Sequence, residues 1–150
     1  MKRINEYKKL FNVTKDTDLR ELKKSYRNLV KEWHPDKFQA DDEKAALADE
    51  MGRKVIDGYH FLVSINPETL ATNADDYKTT ITTAGIADFQ HKGQVLEISF
   101  TDGATYEYFG VSKPLFQKFV NSDKPLRFAK RNFFTKGLTY RKSKRDVVAS

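Results

Sequence analysis

The apolar residues of this chain change their spacing partway along it, and that change limits the fold more than any other feature. Up to about residue 66 they recur every three or four positions, the period of a helix with one buried face. Ile4, Tyr7, Leu10 and Phe11 mark a short first helix. Leu22, Tyr26, Leu29, Val30 and Trp33 mark a second, and Leu47, Met51, Val55, Tyr59 and Leu62 a third. Further on the period drops to two. Leu96, Ile98 and Phe100 alternate with polar residues, then Thr105, Glu107 and Phe109 alternate with Tyr106 and Tyr108. Such runs make strands, and Asp102-Gly103 between them is a hairpin signal. The chain therefore reads as α+β. An all-helical N-terminal domain precedes a small α+β domain, a three-stranded antiparallel meander followed by two short helices. The expected divisions are 1–66 for the helical domain, 67–78 for a polar linker, 79–141 for the second domain and 142–150 for a basic flexible tail.

Local signals fix the element ends. Asn12 stops the first helix, since Asn tolerates the left-handed conformation found there. Asp18 and Glu21 form a capping box for the second helix. Pro35 ends that helix by driving His34 out of the α region. Asp41 or Asp42 caps the third. The simplest packing is an antiparallel hairpin of helices two and three with helix one across it. Tyr26, Trp33 and Tyr59 are expected in its core. Gly52 and Gly58 each weaken the third helix by about 1 kcal/mol relative to Ala. They predict either a loose segment or a close approach to helix two. Thr72, Asn73, Asp75 and Asp76 carry turn chemistry, with at most one helical turn at Glu68 to Ala71. Ile81 to Phe89 reads as a strand that ends at the Lys92-Gly93 turn, and His91 as a turn residue. Ser112 caps a helix whose apolar face is Leu115, Phe116, Phe119 and Val120. A second short helix holds Leu126, Phe128, Ala129, Phe133 and Phe134.

Composition removes several function classes. The chain has no cysteine, so disulfides and thiolate metal sites are excluded. His34, His60 and His91 show no metal-ligand spacing. No nucleophile–base pair and no phosphate loop is present, so no catalytic residue, cofactor or metal is expected and the chain does not read as an enzyme. No apolar run is long enough to span a bilayer and the N-terminus turns polar at once, which predicts a cytoplasmic protein, expected as a monomer. The net charge of +6 is uneven. Residues 1–66 hold 14 Lys/Arg against 12 Asp/Glu, whereas residues 111–150 hold 11 Lys/Arg against Asp123 and Asp146. That asymmetry points the C-terminal part toward an acidic or polyanionic partner.

The connection between the second and third helices carries His34-Pro35-Asp36. On the second helix Lys23, Arg27 and Lys31 follow one another four residues apart, with Lys24 beside them. Taken singly, the cations read as a solvated face and Asp36 as turn chemistry. Taken together with their surroundings they resemble the J-domain of DnaJ-type co-chaperones. Tyr7, Leu10 and Val13 match its opening. Leu22-Lys23-Lys24-Ser25-Tyr26-Arg27 matches its I-K-K-A-Y-R, His34-Pro35-Asp36-Lys37 its signature loop, and Val55 with Gly58-Tyr59-His60-Phe61-Leu62 its close. The family usually has Gly where this chain has Asn12 and an aromatic where it has Gly52. The resemblance implies docking on a DnaK-class ATPase through Lys23, Lys24, Arg27 and Lys31, with His34, Pro35 and Asp36 presented to that partner. The hydrolysis would take place in the partner.

Residues 79–141 resemble the KTSC domain, a module found at the C-terminus of some lysyl-tRNA synthetases. Leu96-Glu97-Ile98-Ser99-Phe100-Thr101-Asp102-Gly103-Ala104-Thr105-Tyr106-Glu107-Tyr108 carries its L-x-V-x-F-x-x-G-x-x-Y-x-Y. The context implies RNA binding. Tyr106 and Tyr108 share a strand face and can stack on bases. Lys113, Lys118, Lys124, Arg127, Lys130, Arg131, Arg141, Lys142, Lys144 and Arg145 can meet phosphates. The ordinary readings are a packing role for the tyrosines and a solvated face for the cations. Two functions follow as expectations. One is a co-chaperone whose C-terminal domain targets it to a partner such as RNA or a ribosome. The other is an RNA-binding protein whose helical domain is a scaffold.

Overall fold

A computed structural model of the chain describes residues 2–14, 16–38 and 42–143. The chain divides into two compact units, with the break between Ala71 and Thr72.

The first unit is helical. It holds α1 (Lys2–Phe11), α2 (Leu19–Glu32), α3 (Asp42–Ile65) and all but the last residue of α4 (Pro67–Thr72). Asn12 ends α1 with φ at 55°, the left-handed conformation expected of it. The Asp18 carboxylate accepts the Glu21 N–H at 2.8 Å and starts α2. Asp42 is the first residue of α3, and Asp41, the other cap expected there, lies outside the described residues. Ile4, Phe11, Leu22, Ala48, Val55, Phe61 and Leu62 are buried. Tyr26 and Tyr59 are half-buried and stack at 4.2 Å between centroids, 18° apart. The end of α3 returns to the start of α2, where the Asn66 side chain donates to the Thr17 carbonyl at 2.8 Å. The hairpin is thus antiparallel. Leu47, placed by its spacing on the core stripe, is 48% exposed instead, because it falls on the edge of that stripe.

The two glycines of α3 behave differently. A Cβ on Gly58 would stand 2.8 Å from Tyr7 Cδ1 and 3.0 Å from Phe11 Cε1, so α1 presses directly on α3 there. The close approach is to α1, not to α2 as expected. A Cβ on Gly52 would meet nothing within 4 Å.

The second unit is α+β, with a four-stranded antiparallel meander where three strands were expected. Its elements are α5 (Ala74–Thr83), β1 (Ile86–Lys92), β2 (Val95–Phe100), β3 (Thr105–Phe109), α6 (Lys113–Val120), α7 (Pro125–Ala129) and β4 (Tyr140–Lys142). A π-helical turn, Lys130–Phe134, follows α7. The β1–β2 turn places Gly93 and Gln94 at φ 55° and 66°, as a two-residue hairpin requires. Leu96, Ile98, Phe100, Tyr106, Tyr108, Val111, Phe119, Ala129, Phe133 and Phe134 make the core. Ser112 caps α6 through the Leu115 N–H as expected, but Val120 is 48% exposed.

The structure revises three readings here. The stretch 67–78, expected as a polar linker with room for one helical turn at Glu68 to Ala71, is helical over Pro67–Thr72 and again from Ala74. Ile81 is helical, and the strand begins only at Ile86. Asp75 and Asp76 sit in the first turn of α5, where the helix dipole favours acids. Thr79 and Thr83 return their hydroxyls to the carbonyls four residues back. Tyr77, Thr80 and Ile81 then point one helical face at the sheet, and that packing overrides the strand propensity of the threonine run. His91 is in β1, not in a turn. Its ring stacks on Phe116 at 4.5 Å and its Nε2 lies 2.7 Å from the Val111 carbonyl.

A tyrosine cluster ties α5 to the sheet. The Tyr77 hydroxyl donates to the Phe134 carbonyl at 2.9 Å and lies 3.1 Å from the Tyr108 hydroxyl, which donates to it. Tyr140 stacks on Tyr77 at 4.3 Å. Burial raises the pKa of Tyr77, Tyr108 and Tyr140 above the ordinary tyrosine value. The neutral form is therefore favoured in the native state. The stability this contributes is fully present below about pH 10 and is lost as pH rises toward the elevated native values. An alkaline titration followed at 295 nm is expected to leave Tyr77 and Tyr108, two of the seven tyrosines, un-ionised until the domain unfolds. Ionisation of all seven in one wave, with the circular dichroism unchanged, would contradict this.

Candidate partner-docking site

The exposed corner between α2 and α3 is built locally. Trp33 closes α2 by donating its N–H to the Leu29 carbonyl. Its ring stacks against Phe38 at 6.1 Å, so two aromatic side chains bracket the connection. Between them Pro35–Lys37 makes a single 3-10 turn, with the Lys37 N–H donating to the His34 carbonyl at 3.0 Å. Phe38 was not singled out from the sequence. An aromatic directly after a proline turn was the available signal.

His34 and Asp36 are held against each other and face solvent. The Asp36 N–H donates to His34 Nδ1 at 3.2 Å. That bond assigns the imidazole proton to Nε2 in the neutral ring and turns an N–H outward. The Asp36 carboxylate lies 3.5 Å from the same Nδ1, with side-chain exposures of 50% for His34 and 74% for Asp36. An inward-folded corner would have sealed both groups, and it does not occur. Lys23, Lys24, Arg27 and Lys31 are all exposed on α2. Helical spacing lines up Lys23, Arg27 and Lys31 as a ridge of positive charge that leads toward the corner.

The C-terminal site residues divide. Tyr106 and Tyr108 are 3% and 0% exposed. They are core residues and not stacking platforms, because α5 and the Phe133–Phe134 segment cover the strand face they share. Arg141 is also withdrawn from solvent. β4 pairs it with Glu107, and its Nη2 lies 3.1 Å from Glu107 Oε1, with side chains 6% and 13% exposed. Lys130, Arg131 and Lys142 are exposed. Lys124, Arg127 and Lys130 border one open depression of about 390 Å³ with Pro125 and Leu126. Lys144 and Arg145 lie outside the described residues. Among the described residues no group of three or more His, Asp or Glu is placed to hold a metal ion, and no helix is long and apolar enough to cross a membrane.

An exposed His-Pro-Asp corner on an antiparallel helical hairpin, beside a basic ridge, is what the resemblance to a J-domain implies. Comparison with known proteins agrees. Residues 6–63 match the model of the DnaJ domain and residues 83–136 that of the KTSC domain, so the chain joins the two modules. Chaperone protein DnaJ of Anaplasma marginale (strain Florida) is 33% identical over 85 residues, covering 57% of this chain and 21% of the relative. Chaperone protein DnaJ of Hydrogenobacter thermophilus is 39% identical over 59 residues, 39% of this chain and 15% of the relative. DnaJ-related protein spj1 of Schizosaccharomyces pombe is 38% identical over 63 residues, 35% and 16% of the two chains. The chain thus spans about a fifth or less of the length of these relatives. No solved structure matches it.

The division of the C-terminal cations is testable by stability. Removing one partner of a buried ion pair leaves the other charge stranded, so Arg141→Ala is expected to cost about 3 kcal/mol. Lys130→Ala and Arg131→Ala, at exposed positions, are expected to fall within about 0.5 kcal/mol of the parent. Urea denaturation of the three variants separates the two roles, and equal midpoints would refute the assignment of Arg141.

Proposed function

We propose that this protein is a co-chaperone that docks on a DnaK-class ATPase and stimulates its ATP hydrolysis through the N-terminal unit. The observation that carries the reading is the exposed His34–Asp36 pair on a turn fixed by Trp33 and Phe38, with the basic ridge of α2 beside it. The DnaJ-domain match and the chaperone names of the relatives support it.

Lys23, Lys24, Arg27 and Lys31 steer the unit onto an acidic surface of the partner, since complementary charge speeds encounter and selects register. The corner then presents groups of two kinds. Asp36 offers a carboxylate that can accept a bidentate arginine, and His34 offers an N–H from Nε2. The 3-10 turn holds both before the partner arrives, which lowers the ordering cost of association. The bond that breaks is in the partner's nucleotide. This chain acts by favouring the partner conformation that hydrolyses it, a coupling between sites and not chemistry of its own. Asp36→Asn and His34→Gln are each expected to abolish stimulation of single-turnover hydrolysis by DnaK while circular dichroism stays that of the parent. Full stimulation by either variant removes the proposal.

The C-terminal unit supplies targeting in this reading. Lys124, Arg127 and Lys130 around one depression, with Arg131 and Lys142 exposed, favour a polyanion as its partner. The basic surface of this unit, and no stacking on Tyr106 and Tyr108, would carry RNA binding. Titration of single-stranded RNA against the full chain is then expected to show affinity that falls steeply with salt and varies little with base sequence. No binding at low salt would exclude RNA as the target.

A further inference from the structure

Next to the His34–Asp36 corner, α2 and α3 stand apart around a cleft of about 270 Å³. Leu29, Val30 and Trp33 line it from α2, and Ala48, Gly52 and Ile56 from α3. The opening belongs to Gly52, where a Cβ would meet nothing within 4 Å. A glycine inside a helix sacrifices backbone stability, and an apolar hollow forfeits dispersion contacts along its walls. Val30 and Ile56, on opposite lips, are 38% and 47% exposed, so the hollow opens to the surface.

Basic side chains stand near both lips. Lys23 and Arg27 precede Val30 on α2 by seven and three residues, which places all three on one side of the helix. On α3, Arg53 follows Gly52 with its side chain 79% exposed, and His34 closes the upper end of the cleft. The one acid among the lining residues, Asp49, already pairs with Arg53 at 3.1 Å. The cleft is therefore continuous with the basic ridge and accepts a ligand that is apolar at its tip and acidic at its shoulders.

We infer that the cleft at Gly52 is a socket for a single large apolar side chain, of leucine or phenylalanine size, carried by the acidic surface that docks on α2. The inference deepens the co-chaperone reading and rests on it, and it commits to that same partner as the occupant. The volume suits one such side chain. Insertion would cover Val30 and Ile56 and bring carboxylates beside the knob against Arg27 and Arg53. A desolvated pocket at the centre of a charged rim is the usual form of an energetic hot spot. Gly52 then determines which partner this unit prefers.

The test is to fill the socket from within. Gly52→Phe places an aromatic ring where the knob would go, removes a helix-weakening glycine and leaves His34 and Asp36 untouched. It is expected to raise the melting temperature. It is also expected to raise about tenfold the concentration needed for half-maximal stimulation of DnaK hydrolysis, with the maximum retained. Ile56→Glu puts a like charge on the lip without filling the cleft, and at an exposed position it spares the fold. It is expected to shift the same concentration in the same direction. Unchanged half-maximal concentrations for a folded Gly52→Phe and for Ile56→Glu overturn the socket, while the loss of stimulation in Asp36→Asn keeps the docking reading intact. No stimulation by the parent chain fails the docking reading and the socket with it. Sedimentation is run alongside, and a parent dimer that Gly52→Phe dissociates would assign the cleft to a second copy of this chain and overturn the partner named here.

Discussion

The antiparallel register of α2 against α3 is the constraint on which the functional end of this molecule depends. Three contacts set it at three heights. Asn66 reaches the Thr17 carbonyl at the closed end, Tyr26 stacks on Tyr59 in the middle, and Trp33 meets Phe38 at the turn. A slip of α3 by one turn, about 5.4 Å, would break the Asn66 bond and the Tyr26–Tyr59 stack. Gly58 reinforces the register from the other side, since only a residue without a Cβ lets Tyr7 and Phe11 close on α3.

The second unit solves a different problem. Its sheet is a meander in which each strand neighbours the next, so pairing is local until β4. That last strand, only Tyr140–Lys142, is too short to be stable through its backbone bonds alone. It is held by side chains on both faces. Tyr140 stacks into the tyrosine cluster on one face, and Arg141 pairs with Glu107 on the other. The cluster keeps its hydroxyls satisfied by passing one hydrogen bond along, from Tyr108 to Tyr77 and from Tyr77 to the Phe134 carbonyl. Buried polar groups joined in this way specify a unique arrangement instead of merely filling volume.

The corner was legible in the sequence because everything that defines it is close in the chain. Pro35 terminates α2, the charges recur at helical spacing, and both flanking stripes are long enough to read. Legibility failed where a side chain's environment is decided by a distant segment. Alternation told which residues share a face with Tyr106 and Tyr108, but not that α5 would cover that face. Arg141 read as one more cation able to meet phosphates because Glu107, its partner, is 34 residues away and opposite it only through strand register. The threonines around Ile81 favour strands in isolation, and Tyr77 and Thr80 packing on the sheet decided otherwise. Leu47 and Val120 sit at the margins of their stripes, where periodicity cannot tell a covered position from an open one.

Tyr77 gives the boundary between the two halves a practical meaning. Polar composition alone would invite a cut at residue 79, yet that cut removes the ring stacked on Tyr140 and the hydroxyl that links β3 to the Phe134 carbonyl. The severed fragment would keep every strand and lose the central pin of its interior. Asn73, whose carbonyl accepts the Tyr77 N–H at 3.0 Å, therefore belongs to the downstream half as much as any strand does.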